Sequence, residues 1–368
     1  MSLGTGGSAS SDNGVVTTDA SLFSTEPEPL LPRRQRLYLL GVTLVVLIVV
    51  PMFYSVVFVL RMTEIFVFMV AFGGLHVLSG RLGLISVGHG AFVGIGGLGA
   101  AHAISDLGMP YLLAPLAGAV VAALAGGIVA FPSLRLPGAY LALLTVAVAM
   151  ALPIAMRRID GPLGVRVEGD LVPPAWTGLA REDDDLWQYA LVVVIGTSAL
   201  LGLHYLMEGP FGRALVAVRD EPNAAAAFGI NVSRTHLLGV ALSSAMAGFA
   251  GGLLVYATPF VSGNEYPFEL SLSMFALMVA FGSASIWTSI PAAVLLVMLP
   301  VFLIDRGWAI WEPIIYGVLL LVMTRVSRGQ GLVALIRARR TKAGRSAHSS
   351  AGSATIEGEG TGIVVLDL

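Results

Sequence analysis

The chain of 368 residues is 56% hydrophobic and 12% charged, with a mean hydropathy of +0.84 and a formal net charge of −2. Soluble domains carry roughly 25% charged residues, so this composition excludes an ordinary soluble protein and predicts lipid as the solvent. The near-neutral charge gives no indication of nucleic-acid binding. The lack of cysteine excludes disulfides, thiolate metal sites and a thiol nucleophile.

The two ends of the chain differ in composition from the middle. Residues 1–36 are rich in Ser, Thr, Gly and Pro, and residues 331–368 are mostly Arg, Ser, Gly and Ala. Both compositions are typical of disordered tails, and the basic tail is suited to anionic membrane lipid. Residues 37–330 are therefore predicted to form the membrane domain, whose first apolar run is too long for a signal peptide.

Ten apolar segments follow one another in this middle region, and several are shorter than the roughly 20 residues that a perpendicular transmembrane helix needs. Gly and Pro interrupt them often, which is typical of short or broken helices around a protein-enclosed cavity. The sequence thus predicts an all-α integral membrane protein, a polytopic bundle of about ten transmembrane helices. The predicted segments are 37–60, 62–78, 88–105, 111–131, 138–156, 187–207, 237–257, 270–281, 290–304 and 311–323.

Charge orients the predicted bundle. When both termini are inside, which either ten or eight spans would allow, most Lys and Arg residues lie on the inner side. The loop at 157–186, with its acidic run at 182–185, then lies outside. This positive-inside pattern predicts a multi-pass protein of the inner or plasma membrane with cytoplasmic N- and C-termini.

One charged, alanine-rich island, GRALVAVRDEPNAAAAFGINVSR at 212–234, interrupts the apolar middle. Pro222 suits the first turn of a short helix, Asp220 or Glu221 its N-cap, and Gly229 the left-handed residue after its end. So short a helix is marginal in water and must dock on something, either a partner protein or lipid headgroups. The two predicted helices of the island are 212–219 and 222–228.

Three motifs in order carry a family resemblance, which covers residues from about 38 to 335. GLISVGHGAFVGIGG at 83–97 fits G-x-x-S-x-G-H-x-A-F-x-G-I-G, and LRLPGAYLALLTVAVA at 134–149 fits L-R-L-x-G-x-Y-x-A-x-x-T-x-A-x-A. The island and its continuation at 212–253 contain Asn-Ala-Ala, three residues and Gly, close to the Glu-Ala-Ala…Gly signature of ABC-importer permeases. Together these motifs resemble the LivM-type permeases of branched-chain amino-acid ABC transporters.

The chain departs from the family pattern at several positions. Asn223 stands where the signature has Glu, and Ala226 and Met150 stand where an acidic residue is common. The late motif G-G-L-G-S-I-W-G-P has lost several glycines and its proline at 281–289. Both tails are longer than the family needs. These departures leave the architecture in place and bear on the substrate and on the fit to the ATPase.

The resemblance implies a transporter subunit without enzymatic activity or a cofactor of its own. The chain has no G-x-x-x-x-G-K-[ST] loop, so ATP and Mg²⁺ would bind to two separate ABC ATPase subunits. A second, LivH-like permease subunit would complete the pathway, and an extracytoplasmic solute-binding protein would deliver the solute. The implied solutes are branched-chain or related small amino acids, with urea and short amides as the alternative.

The resemblance also assigns the island, within a coupling segment at 209–236, the role of transmitting ATPase movement to the spans. Small residues would let the ATPase approach closely, and charged residues would fix its orientation. The expected coupling residues are Arg213, Arg219, Asp220, Glu221, Ala224, Ala225 and Gly229.

A second candidate site is the stretch SVGHG at 86–90. A broken helix start would expose backbone N–H groups at the positive end of a helix dipole, where a substrate carboxylate would bind. Each of these residues also has an alternative role. The glycine stripe at 88–99 would serve close helix packing, and His89 would make a structural hydrogen bond. Thr145 would bond back to its own helix, and Tyr140 would be an interfacial anchor. The candidate residues of the translocation path are Ser86, Gly88, His89, Gly90, Tyr140 and Thr145.

Two other classes of protein remain as alternatives. An ion-coupled secondary transporter would need a buried acid, yet Glu64, the one acid within the first seven predicted spans, lies near a span end beside Arg61 and is predicted to form a surface ion pair. A structural or signalling membrane protein would use the island to recruit some other partner. His76 and His102 belong to no motif and are predicted to serve packing.

Overall fold

A computed structural model describes residues 55–134, 139–161, 163–167, 184–258, 260–283 and 285–327. The two predicted tails, the first predicted span up to residue 54, and residues 168–183 of the predicted outer loop lie outside the described residues.

Eleven α-helices make up most of the described part of the chain. A π-helical turn, His76–Arg81, continues the first helix, and 3₁₀ turns precede the third, tenth and eleventh. In chain order the helices are α1 Val56–Leu75, α2 His89–Ser105, α3 Ala114–Ser133, α4 Ala139–Asp160, α5 Asp184–Glu208, α6 Pro210–Asp220, α7 Pro222–Ala227, α8 Val232–Ala257, α9 Phe268–Phe281, α10 Ser289–Asp305 and α11 Glu312–Ser327.

The apolar segments predicted from the sequence correspond to these helices, from the second segment onward, with ends shifted by a few residues. Among the described residues, six helical stretches are long and apolar enough to cross a membrane, and two shorter apolar helices accompany them. A helical integral membrane protein is therefore confirmed. The figure of about ten spans exceeds these six and stays a prediction.

Three details of the prediction are wrong. The break expected between two spans at residue 61 lies inside α1, which begins at Val56. The side chain of Ser55 caps this helix by accepting a hydrogen bond from Phe58 N (3.3 Å). Asp184 and Asp185 belong to the first turn of α5, where the helix dipole favours acids, and not to the preceding loop. The fold is also not purely helical, because Val165–Arg166 pairs antiparallel with Phe260–Val261.

The densest packing joins α2, α3 and α8 through glycine. A Cβ atom on Gly96 or Gly118 would overlap the backbone of Gly248, and one on Gly251 would overlap the carbonyl oxygen of Val93. Backbones can approach this closely only where side chains are absent, which is the usual way of packing helices in membranes. For Gly96 the packing interpretation of the glycine stripe is therefore confirmed.

The bundle has two distinguishable ends. At one end lie α6 and α7, which we call the arm. At the opposite end the last residues of α2 and α4 meet, and the last turn of α8 contacts the 3₁₀ turn that precedes α3. There Tyr111 donates a hydrogen bond to the carbonyl oxygen of Val255 (2.9 Å), and Tyr256 donates one to that of Leu112 (2.9 Å).

Candidate functional site

The first helix of the arm, α6, is amphipathic and lies against the bundle. Pro210 occupies its first turn, where the missing N–H costs nothing. Leu215 and Val218 are buried on one face, and Leu215 packs against Gly239 of α8. The helix runs from Pro210 to Asp220, slightly longer at both ends than the predicted 212–219.

The second helix of the arm, α7, ends as the sequence predicts. Gly229 has a φ of 84°, in the left-handed region. Its N–H donates to Ala226 O (3.0 Å), and the Ile230 N–H donates to Ala225 O (3.0 Å). This pair of bonds is the Schellman motif, which satisfies the last carbonyls of a helix. Glu221 occupies the predicted N-cap position, but its side chain makes no capping bond.

Exposure divides the alanine run of α7 into two faces. Ala225 is only 4% exposed and packs inward, so it is not part of the surface that the arm offers to a partner. Ala224 and Ala226 are exposed, as is Gly229. Phe228, which sequence reasoning did not single out, is 88% exposed. The accessible end of the arm is thus a small-residue surface with one aromatic ring.

The charged residues of the arm hold it in place. Arg219 donates from Nε to Asp220 Oδ1 (2.8 Å) and from Nη1 to the carbonyl oxygen of Gly80 (2.8 Å). Arg213 donates from Nη1 to Glu208 O (3.0 Å), at the junction of α5 and α6. Among these charged residues the structure brings Arg219 and Asp220 together, and it leaves Glu221 exposed.

The second candidate site lies where α1 and α2 are interrupted. Residues 82–88 are not helical, and they lead from the π-helical turn into α2. Ser86 in this segment is fully buried, and its Oγ has no hydrogen-bond partner among the described residues. Val87 N–H donates to Thr145 Oγ1 (3.2 Å), and a Cβ atom on Gly88 would overlap the Thr145 carbonyl group. The structure thus brings the segment and α4 together.

The other predicted path residues have different surroundings. His89 is 1% exposed, and its Nε2 donates to Ala71 O (2.9 Å), so it is a structural hydrogen-bond donor. A Cβ atom on Gly90 would lie 2.8 Å from Ser271 Oγ of α9. Tyr140 is 47% exposed near the start of α4 and does not join this buried group.

The start of α2 has the groups that a small anionic ligand needs. No side chain caps this helix, and Gly88 occupies its N-cap position. The first N–H groups of an uncapped helix have no partner in the helix and lie at its positive end. Ser243 and Ser271 are buried nearby on α8 and α9, where Ser243 Oγ donates to Gly74 O (2.8 Å). Polar groups therefore line an otherwise apolar interior at this level.

Histidine–carboxylate pairs occur at both ends of the bundle, and sequence reasoning missed them. His102 was predicted to serve packing, but it contacts Asp106 Oδ2 (2.7 Å) and Asp160 Oδ1 (2.9 Å). His204 lies 3.2 Å from Glu208 Oε1 in α5. Both pairs include residues beyond the predicted span ends, although the i,i+4 spacing of His102–Asp106 and of His204–Glu208 was a signal that could have found them. Within the part of the chain that the structure describes, no three such residues are arranged to hold a metal ion.

The predicted surface ion pair is present. Arg61 Nη1 lies 2.8 Å from Glu64 Oε2, and both side chains are partly exposed, by 40% and 24%. Glu64 is therefore a neutralised residue at the edge of the protein rather than an isolated buried acid.

Comparison with known proteins identifies the family of the chain. A family model described as "Branched-chain amino acid transport system / permease component" matches residues 55–324. The high-affinity branched-chain amino acid transport system permease protein LivM of Salmonella typhimurium is 29% identical over 331 residues, covering 83% of this chain and 76% of the relative. LivM of Escherichia coli is 30% identical over 291 residues, covering 72% and 67%. No solved structure matches the chain. Because the family model spans all but a few of the described residues, this chain belongs to the permease family of branched-chain amino-acid ABC transporters.

Proposed function

We propose that this chain is the membrane permease subunit of an ATP-driven importer for branched-chain or related small amino acids. The observation that carries the proposal is the arm, an exposed pair of helices tied to the bundle by Arg219 and ending in a small-residue surface around Phe228. An element of this kind suits the transmission of movement from a separate subunit, because it combines an accessible face with a firm attachment.

The proposed partner at the arm is the ATPase, of which the importer has two copies. Ala224 and Ala226 let another backbone approach α7 closely, and Phe228 supplies an aromatic anchor of the kind that dominates protein interfaces. ATP and Mg²⁺ bind to those subunits, and this chain carries neither. Closure of the ATPases pushes the arm and switches the bundle between outward and inward access.

The proposed substrate site is the buried segment that opens α2. The uncapped N–H groups of Gly88, His89 and Gly90 bind the amino-acid carboxylate, and Ser86 Oγ adds one hydrogen bond. The apolar residues around them accept an aliphatic side chain. Urea and short amides, the alternative solutes, would accept hydrogen bonds from the same N–H groups through a neutral carbonyl oxygen and would lack the charge attraction of a carboxylate.

The proposed topology follows from the arm. Its end of the bundle is cytoplasmic, both termini are cytoplasmic, and the membrane domain has about ten spans. A second LivH-like permease completes the pathway, and an extracytoplasmic binding protein delivers the solute at the opposite end.

Reconstitution tests this function directly. The chain is assembled with an ATPase pair, a second permease and a binding protein in proteoliposomes, and uptake of labelled leucine and urea is measured. We expect leucine uptake that requires ATP and the loaded binding protein. Uptake driven by a proton or sodium gradient without ATP would contradict the ABC mechanism, and uptake of urea but not leucine would contradict the substrate.

A further inference from the structure

The contact of the arm with the rest of the protein is concentrated at the end of α1. Arg219 extends from the last turn of α6, and its Nη1 donates to Gly80 O inside the π-helical turn His76–Arg81. Its aliphatic stem lies over Gly83, where a Cβ atom would be 2.6 Å from Arg219 Cγ. Gly83 has a φ of 72°, so the backbone here is in a conformation that other residues seldom adopt.

Two further contacts make this turn a junction. A Cβ atom on Gly80 would overlap the carbonyl oxygen of Ser283, which follows α9. Leu215 of α6 and Leu82 both pack against Gly239 of α8. The backbone at 80–83 thus contacts the arm as well as α8 and Ser283, which follows α9. These contacts are close because Gly80 and Gly83 have no side chains.

The same turn leads directly to the 82–88 segment, in which Ser86 is buried and Ile85 is exposed. Residues 82–88 connect it to α2, and they contain Ser86 and the Val87 N–H group that bonds to Thr145. π-helical turns are rare and occur frequently at functional sites, and this one continues without a break into residues 82–88. A displacement of Gly80 is therefore passed on to the start of α2.

We propose that Arg219 is a positioning residue that couples the arm to the 82–88 segment, so that movement of the arm rearranges the buried start of α2. This proposal rests on the proposed function and adds to it an internal role for Arg219. Two of the five guanidinium donors are directed at Gly80 and Asp220, so the side chain is held against the bundle.

The test uses a single cysteine as a reporter in the complete transporter. The chain has no cysteine, and Ile85 in the segment is 50% exposed, so Ile85→Cys gives one labelling site on this chain. The rate of maleimide labelling is measured without nucleotide and with ATP plus vanadate. We expect the rate to change at least threefold in the otherwise unaltered chain, and to stay constant when Arg219→Gln is added. Leucine uptake falls at least tenfold in Arg219→Gln.

Two other variants make the result specific. Gly83→Ala introduces a methyl group against the Arg219 stem and is expected to abolish the ATP-dependent change in labelling as well, which decides the matter if Arg219→Gln fails to assemble. Arg325→Gln makes the same charge change on the exposed last turn of α11, outside the coupling segment, and is expected to leave labelling and uptake as in the unaltered chain.

The outcomes separate this inference from the proposed function. An ATP-dependent change in labelling that persists in both Arg219→Gln and Gly83→Ala would overturn the role of Arg219 and leave the transporter intact. An unaltered transporter that shows no ATP-dependent uptake of leucine would overturn the proposed function, and this inference with it.

Discussion

The arm and the glycine-packed contact of α2, α3 and α8 are opposite kinds of structure in one chain. In the helix contact, backbone meets backbone at Gly96, Gly118 and Gly248, and there is no room for one additional carbon atom. In the arm, α7 is exposed except for Ala225, so larger side chains at Ala224 and Ala226 would extend outward. Added atoms should therefore unfold the first region, whereas in the second they should leave folding intact and alter function.

The difference has a physical origin in the solvent of each region. Lipid offers helices little hydrophobic driving force for association, so α2, α3 and α8 are held by close van der Waals packing, which a single side chain would abolish. The arm lies outside the apolar spans. Its attachment depends on burying Leu215 and Val218 and on the hydrogen bond from Arg219, so its outer face is free to vary.

The largest expected effect is on the packed helices. Gly248→Leu would force α8 away from α2 and α3. Overpacking lowers the free energy of unfolding by roughly 1–3 kcal/mol, and we expect a loss at or above the upper end of that range. We expect almost no folded protein in mild detergent, measured by size-exclusion chromatography and thermal melting. The matched control is Gly127→Leu in α3, where none of the residues that the structure describes lies within 4 Å of an added Cβ atom. This variant should melt as the unaltered chain does. Equal melting temperatures for the two variants would contradict the packing account.

The next effect is expected in the arm, where a substitution should abolish most transport without lowering stability. Ala226→Trp adds a large side chain to the exposed face of α7, so the melting temperature should not change. It should block the approach of the ATPase and lower leucine uptake at least tenfold. Ala226→Ser, which keeps the residue small, should transport normally. Ala225→Trp should instead lower stability, because Ala225 is buried. Normal uptake by Ala226→Trp would show that this face of α7 is not a docking surface.

The contrast between the two regions also sets how much the sequence could predict. Helix positions follow from apolar composition, and the end of α7 follows from Pro222 and Gly229, because these residues act locally. The bond from Arg219 to Gly80 joins residues 139 apart in the chain, and no local pattern contains it. The same holds for the burial of Ala225 among four consecutive alanines, since only the packing of α7 distinguishes them.

The buried segment shows the same limit. The family motifs predicted Ser86, Gly88 and Thr145 as residues of the translocation path, and the structure brings these three together. Tyr140 came from the same motif as Thr145, but it faces outward, because five residues along a helix turn a side chain well away from the first. The π-helical turn was not predicted, since the residues of His76–Arg81 also suit an α-helix.

A moderate effect is expected at Ser86, whose hydroxyl is buried and has no hydrogen-bond partner in the described part of the chain. Ser86→Ala removes one hydrogen bond to the substrate, about 1 kcal/mol, and should raise the KM for leucine uptake about fivefold. The melting temperature should hold or rise slightly, because an unsatisfied hydroxyl is lost. Ser198→Ala on α5, whose Oγ donates to Val194 O of its own helix, is the control and should change neither. An unchanged KM in Ser86→Ala would remove the serine from the substrate site.

The smallest effect is expected at a position that belongs to neither region, the Arg61–Glu64 pair at the start of α1. Partly exposed ion pairs contribute about 0–1 kcal/mol, so Glu64→Gln should leave the melting temperature nearly unchanged. A transporter driven by ATP needs no proton on this carboxylate, and uptake should stay within about twofold of the unaltered chain at every pH tested. Arg61→Gln, which removes the other partner, is the matched control and should behave in the same way. Loss of uptake in Glu64→Gln but not in Arg61→Gln would mean that the carboxylate itself takes part in transport. An ion-coupled mechanism would then have to replace the one in which the arm drives the bundle.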